Sequence, residues 1–360
     1  MQHRTLAFCL IVVSLFFGAC VSSTQQTNTG AARAKKGPNE PVKIGFSMDT
    51  LKEERWQRDK ELIEKRAKEL GMEVNIQVAN GDDNLQVKQS ENLLTQGIDV
   101  LIVAPHNGEV AAAIVEAAHR QGVPVIAYDR LIQNSDVDLY ISHQVVKMGE
   151  MQAQYLLDHV SKRPANFVIV GGSPTDHNAI LLHEGQMNIL KPVIDRGDVK
   201  IVADQYAKEW QASAALNIVE NALTRANNQV DAVVASNDGT ARGVVQALEG
   251  QNLAGKVLVS GQDADLASLK LIVEGKQTMT VYKSLQPLAN GAVDAAIKLA
   301  RGEKLDTTDT IDNGFKKVPA ILLAPVAVDR NNLLDTVVKD GYHKLEEICA
   351  GIPPEKCPRP

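Results

Sequence analysis

The sequence predicts an α/β protein with two doubly wound, Rossmann-like parallel-sheet domains. From Pro41 onward, short continuous apolar runs alternate with longer amphipathic runs, which is typical of parallel strands covered by helices on both faces. The same alternation restarts near residue 167. The chain has 360 residues, which is enough for two such domains.

The first half contains four predicted strands and three predicted helices. The strands are expected at 42–48, 74–79, 100–104 and 123–128, and the helices at 53–70, 85–96 and 110–121. Gly71, Gly97 and Gly122 directly follow the three predicted helices. They support these helix ends, because glycine readily adopts the left-handed conformation that ends many helices.

The second half repeats this order. Its strands are expected at 167–170, 199–202, 232–235, 257–259 and 279–282, and its helices at 147–160, 180–194, 213–226, 241–249, 266–274 and 288–300. Continuous apolar strands between helices again predict a parallel sheet.

The composition excludes one class of partner. The chain has a formal net charge of −6, and its hydrophobic fraction of 44% is that of an ordinary globular protein. A nucleic-acid-binding domain is usually basic, so no nucleic-acid partner is expected.

Residues 1–19 are expected to be a lipoprotein signal peptide. A positive start containing Arg4 precedes an apolar run that is too short for a comfortable membrane span. Gly18 and Ala19 then precede Cys20, which resembles a bacterial lipobox. Cleavage before Cys20 would leave a diacylglyceryl anchor on its thiol. The alternative is an ordinary secretory signal peptide, and both interpretations predict a protein outside the cytoplasm.

Two further segments are predicted from composition. Residues 20–40 are rich in small and polar residues and are expected to be a lipid-anchored flexible tether. The protein would then be held in the periplasm or on the outer face of the cytoplasmic membrane. In the tail at 346–360, Cys349 and Cys357 are expected to form a disulfide, although free thiols remain possible. No metal and no cofactor is expected.

Polar and aromatic side chains follow most of the predicted strands. Ligands bind beyond the carboxyl ends of the strands in open α/β sheets, so we expect these side chains to converge. The candidates for substrate binding are Arg55, Trp56, Asp129, Arg130, Asn178, Trp210, Asn237, Asp263 and Lys283.

This set suits a monosaccharide. A pyranose has an apolar face of C–H groups, which fits an indole ring, and a rim of hydroxyls that both donate and accept hydrogen bonds. Trp56 and Trp210 are the only tryptophans and lie in different halves. The plainer alternative is that Asp and Asn cap helices, Trp56 belongs to the core, and Arg130 and Lys283 are solvated. The joint pattern favours the sugar site.

The sequence gives no sign of an enzyme. It contains no H-E-x-x-H, no G-x-S-x-G, no Walker loop and no G-x-G-x-x-G after a strand. We therefore expect binding without catalysis.

The chain resembles the periplasmic sugar-binding proteins of ABC importers, in the type I, ribose-binding-like family. The resemblance covers 41–344 and rests on VKIGFSMDTLKEERWQRD, VANGDD, DVLIVAPHNG, VPVIAYDRLI, YIS, GGSPTDHNA, VDAVVASNDGTARG, VSGQDADLA and QTMTVYK. Within this family, the members that bind D-xylose are the most similar. His106 and His177 depart from the family pattern, in which Tyr and Asn are typical.

The resemblance implies two lobes joined by a three-strand hinge. The N-terminal lobe is expected at 41–145 plus 285–318, and the C-terminal lobe at 146–284 plus 319–345. The family's sugar contacts correspond to seven of the nine candidates, and Trp56 and Trp210 would stack on the two faces of the ring.

The resemblance also implies a function. The chain is expected to act as a monomer that captures a monosaccharide, with D-xylose the expected sugar, and delivers it to the membrane subunits of an ABC permease. An alternative is a sugar sensor whose liganded form docks on a histidine kinase or chemoreceptor.

Overall fold

The computed structural model describes residues 34–307 and 309–359. The predicted signal peptide, the lipidation site at Cys20 and most of the predicted tether lie outside these residues. The strands are β1 Lys43–Met48, β2 Glu73–Val78, β3 Val100–Ala104, β4 Val125–Tyr128, β5 Leu139–His143, β6 Ala165–Gly171, β7 Val199–Tyr206, β8 Ala232–Ala235, β9 Leu258–Val259, β10 Thr280–Tyr282, β11 Asp309–Asp312, β12 Lys317–Leu323 and β13 Val326–Val328. The α-helices are α1 Glu54–Glu69, α2 Asp83–Thr95, α3 Ala112–Arg120, α4 Val145–His159, α5 His177–Asp195, α6 Ala212–Arg225, α7 Asp238–Gly250, α8 Leu266–Glu274, α9 Leu285–Arg301 and α10 Leu345–Cys349.

The first lobe is built on a seven-stranded sheet with the order β11-β12-β5-β4-β3-β1-β2. All its neighbouring strands are parallel except the β11–β12 pair. Apolar residues of α1 and α9 cover one face, and those of α2 and α3 cover the other. Burial on both faces explains why the central strands are continuous apolar runs.

The second lobe repeats this arrangement on a smaller scale. Its four-stranded parallel sheet has the order β7-β6-β8-β9, with α6 and α7 on one face and α4 and α5 on the other. An antiparallel pair, β10 and β13, packs in the same lobe with α8 and α10. The prediction of two doubly wound α/β lobes is confirmed.

The chain passes between the lobes three times, at 143–145, 283–285 and 323–326. The predicted lobe boundary at 318/319 falls inside β12. The whole of β12 belongs to the first lobe, because Ala320 to Leu323 pair with β5. The crossing into the second lobe therefore follows Leu323, and residues 319–323 belong to the N-terminal lobe.

Both ends of the described chain are packed against the protein. The Lys36 N–H donates to the Ala300 carbonyl over 3.0 Å, and the Lys36 ammonium lies 3.3 Å from the Asp99 carboxylate. The last part of the predicted tether is therefore docked on the first lobe. In the tail, a disulfide joins Cys349 and Cys357. No helix among the described residues is both long and apolar enough to span a membrane.

Candidate functional site

All nine residues predicted from the strand ends line one cavity between the lobes. It contains about 330 Å³ of space between atoms, part of it open to solvent. Three residues that were not predicted complete the lining, namely Glu53, Asp176 and Gln262.

Asp129 is the centre of the first lobe's polar wall. The Arg55 guanidinium donates to Asp129 Oδ2 over 2.6 Å and to Asp59 Oδ2 over 2.9 Å. Burial opposes the charge of Asp129, but Arg55 and Lys283 hold the pKa of this carboxyl well below its usual range. Asp129 is therefore an anion that accepts hydrogen bonds at the cavity wall.

Arg130 has different partners from its neighbour Asp129. Its guanidinium lies 2.7 Å from Asp49 Oδ2, in the same lobe, and 2.8 Å from Asp176 Oδ2, in the second lobe. Burial works against the charge, yet Asp176 and Asp49 raise the pKa of Arg130 above its ordinary value. The two adjacent charges at the end of β4 thus extend separately into the cavity wall instead of neutralising each other.

The two tryptophans lie in different lobes and line the same cavity. Trp56, in the first turn of α1, is covered by the guanidinium of Arg55, 4.2 Å from its ring centroid. The Trp210 Nε1–H donates to Asp176 Oδ2 over 3.2 Å. Both rings are almost fully buried, so each is held rigidly at the cavity edge.

The second lobe contributes amide and charged groups. The Asn178 Nδ2–H donates to the backbone oxygen of Asp129 over 3.1 Å. The Asn237 Oδ1 accepts from the Thr240 N–H over 2.8 Å and caps α7, while the residue also lines the cavity. The Lys283 ammonium lies 3.0 Å from Asp263 and 3.8 Å from Asp129. Each cation of the site thus has a carboxylate beside it.

Several polar atoms in the cavity lining have no hydrogen-bond partner within the described protein. Three of these are acceptor oxygens that also lack an ion-pair contact among the described residues, namely Glu53 Oε2, Asn178 Oδ1 and Gln262 Oε1. A buried acceptor left unpaired costs about 1–3 kcal/mol. A ligand that carries several hydroxyl groups would supply the missing donors.

The backbone is held in unusual conformations at three site residues. Asp129 has φ 61°, Trp210 has φ 55° and Asp263 has φ 103°, in the region that disfavours side-chain-bearing residues. Such conformations cost about 1–3 kcal/mol each and cluster at functional sites. The Asp129 carbonyl is fixed in place by the hydroxyls of Tyr140 and Ser142, at 2.9 and 2.7 Å.

Residues 44–304 match the family described as periplasmic binding protein domain. The chain belongs to this family. It is 50% identical over 307 residues to the D-xylose-binding periplasmic protein of Haemophilus influenzae, covering 85% of this chain and 92% of the relative. It is 49% identical over 318 residues to the protein of the same name from Escherichia coli, covering 88% and 94%. The predicted family is confirmed.

Solved structures share the two-lobed architecture of this periplasmic binding protein. A carbohydrate transporter solute-binding protein from Chloroflexus aurantiacus, in complex with D-glucose, superimposes with a TM-score of 0.81. The two sequences are 32% identical, and the match covers 86% of this chain and 98% of the other.

Sequence reasoning missed three residues of the cavity as candidates. Asp176 and Gln262 follow strands β6 and β9, and the strand-end rule that found the others could have included them. Glu53 carries no such signal, because it stands in a charged run before α1 that resembles an ordinary solvated helix start. Among the described residues, no group of three or more His, Cys, Asp or Glu side chains is placed to hold a metal ion.

Proposed function

We propose that this chain is an extracytoplasmic lipoprotein that captures D-xylose between its lobes and delivers it to an ABC importer. The observation that carries the proposal is the convergence of nine residues, chosen from the sequence, on one interlobe cavity. Two relatives near 50% identity bear the name of D-xylose-binding periplasmic proteins, which favours D-xylose over other monosaccharides.

The charge arrangement supports a neutral ligand. Arg55, Arg130 and Lys283 each have a carboxylate within 3.0 Å, so the site does not require an anion to balance it. Paired charges still have spare donor and acceptor positions, and charge-assisted hydrogen bonds are the stronger kind. Sugar hydroxyls can use both, because each one donates and accepts.

Closure of the lobes completes the site. The Arg130–Asp176 pair and the Asn178–Asp129 hydrogen bond both join the first lobe to the second. A sugar that contacts both lobes binds the closed form better than the open form, so it shifts the population toward the closed form. The permease would then recognise the closed, loaded protein.

Titration calorimetry against a panel of aldopentoses and aldohexoses tests the ligand. We expect D-xylose to bind with the lowest Kd, at one site per chain, and without turnover of the sugar. A protein that binds none of these sugars would overturn the proposal. If D-glucose or L-arabinose binds more tightly, the sugar assignment is wrong while the binding function stands.

Two cell experiments test the anchor and the partner. We expect Cys20→Ala to move the protein from the membrane fraction to the soluble fraction and to abolish incorporation of labelled fatty acid.

Deleting the gene is expected to reduce uptake of D-xylose at low concentration. Intact uptake with a lost transcriptional response to the sugar would favour the sensor role instead.

A further inference from the structure

A second set of contacts crosses between the lobes outside the cavity. The His106 Nε2 lies 3.2 Å from Glu209 Oε2, and its Nδ1 lies 2.7 Å from Asp83 Oδ1. The Lys52 ammonium donates to the Glu209 backbone oxygen over 2.7 Å. Lys52, Asp83 and His106 belong to the first lobe, whereas Glu209 follows β7 in the second. We call the contacts of His106 and Lys52 with Glu209 the interlobe clamp.

The clamp acts on the residue directly before Trp210. Glu209 and Trp210 have φ values of 54° and 55°, so two successive residues occupy the left-handed region. This conformation is costly for residues with side chains and persists only where the surroundings enforce it. Lys52 and His106 contact the strained segment from the opposite lobe, and so they can enforce it only when the lobes are closed.

Electrostatics favour a charged clamp. Burial opposes protonation of His106, but its hydrogen bond to Asp83 and the nearby carboxylates of Asp49 and Glu209 raise its pKa above 6.5. An imidazolium between two carboxylates makes charge-assisted hydrogen bonds to both. The Asp83 contact orients the ring within its own lobe, leaving Nε2 for the partner across the cleft.

We propose that His106, Lys52 and Glu209 position Trp210 over the sugar and slow its release. This inference rests on the proposed function. None of the three lines the sugar cavity, so they are positioning residues and not ligand contacts. Because the clamp exists only in the closed form, its free energy slows reopening while the initial encounter with the sugar is unaffected.

The expected effect is moderate. The side chains of His106 and Glu209 are 11% and 31% exposed, so solvent screens part of their attraction. Loss of such a contact is expected to speed sugar dissociation about three- to tenfold. The association rate is expected to stay within about twofold, since the open form that meets the sugar has no clamp.

Stopped-flow kinetics with D-xylose test this inference, using the fluorescence of the two tryptophans. The variants are Glu209→Ala, His106→Ala, the double variant and Lys52→Ala. The matched control is Asp204→Ala, which removes a His–carboxylate pair of 2.9 Å between His183 and Asp204 inside the second lobe. We expect faster dissociation in every clamp variant and wild-type rates in the control. The effects of His106→Ala and Glu209→Ala should be less than additive in the double variant.

The outcomes separate the clamp from the proposed function. A wild-type protein that binds no sugar overturns the function and the inference together. Wild-type binding with unchanged dissociation in Glu209→Ala and Lys52→Ala overturns the clamp alone. Slower association with unchanged dissociation would also overturn it, because the contacts would then form before closure.

Discussion

At the scale of single residues, Asp129 lies beside two of the cavity's three cations, Arg55 and Lys283. Asp129→Asn keeps the shape of the side chain but leaves Arg55 and Lys283 facing a neutral amide. Breaking one partner of a buried pair costs about 3–5 kcal/mol, and a sugar hydroxyl also loses an anionic acceptor. We expect sugar affinity to fall at least about 100-fold by titration calorimetry.

An exposed carboxylate serves as the control for Asp129. Asp306 pairs with Lys298 on the surface of the first lobe. Asp306→Asn is expected to bind sugar as the wild type does. If Asp129→Asn also retained wild-type affinity while folding normally, Asp129 would not contact the ligand.

The buried His143 is expected to make the stability of the folded protein depend on pH. It ends β5 at the first lobe crossing, and burial together with Lys283 lowers its pKa to about 3. An unfolded chain protonates this histidine below about pH 6.5, whereas the folded chain leaves it neutral. The contribution of neutral His143 to the free energy of unfolding is therefore complete above pH 6.5, and it is lost as the pH falls toward 3.

The size of this pH effect follows from the shift. Between pH 7 and 4.5, the wild type is expected to lose about 2–3 kcal/mol more free energy of unfolding than His143→Gln does. Urea denaturation at each pH measures the difference. The exposed His159→Gln variant should follow the wild-type curve, and parallel curves for His143→Gln and the wild type would contradict the prediction.

Residue roles were harder to assign than residue positions. The sequence presented helix capping and sugar binding as alternatives for Asp and Asn after strands, but Asn237 caps α7 and also lines the cavity. One residue does both because a helix that starts at a strand end places its cap at the sheet edge. The position of a site residue can be predicted because it follows a strand end. The direction of its side chain depends on hydrogen-bond partners that are distant in the sequence and come close only in the folded chain.

At the scale of elements, the packing of Trp210 depends on the turn after β6. A Cβ atom built on Gly172 would lie 2.1 Å from Cη2 of Trp210, so the ring packs directly on the glycine. Gly172→Ala must displace the indole. We expect a sugar affinity about tenfold or more lower, with the fold retained, measured by calorimetry and circular dichroism.

Gly250, at the end of α7, provides the matching control for Gly172. A Cβ atom there meets nothing within 4 Å. Gly250→Ala is expected to keep wild-type affinity and to raise stability by up to about 1 kcal/mol, because alanine favours the helix. An unaffected Gly172→Ala would show that the ring of Trp210 can move without harm to the site.

The sequence missed four strands of the described structure, β5, β11, β12 and β13. The apolar runs of β1, β3 and β4 were found, as was the edge strand β2, whereas the buried inner strand β5 was not predicted. Among the other missed strands, β11 and β13 are short, and β12 contains Pro319, a residue that argues against an inner strand. Pro319 is tolerated in β12, where it lies opposite Thr310 of the edge strand β11. These strands form through pairing with distant segments, which no local pattern records.

At the scale of the whole molecule, the three crossings explain the one lobe assignment that needed correction. Strand β12 ends the first lobe at Leu323 and β13 begins in the second lobe at Val326, with only Ala324 and Pro325 between them. The sequence shows two neighbouring apolar runs here and does not show which sheet each run joins. Each of these strands belongs to the lobe whose strands it pairs with.

The distribution of the site over two lobes predicts a change in shape. Arg55, Asp129 and Arg130 belong to one lobe, and Asn178 and Asn237 belong to the other, so all of them can contact one sugar only when the lobes meet. Without ligand, closure must overcome the freedom of three short crossings and the hydration of the polar walls. We expect small-angle scattering to show a smaller radius of gyration with saturating D-xylose than without it. L-xylose, which presents the mirror-image arrangement of hydroxyls, should leave the radius unchanged. Equal radii with and without D-xylose, in a protein that calorimetry shows to be loaded, would mean that sugar binding does not bring the lobes together, which contradicts the prediction.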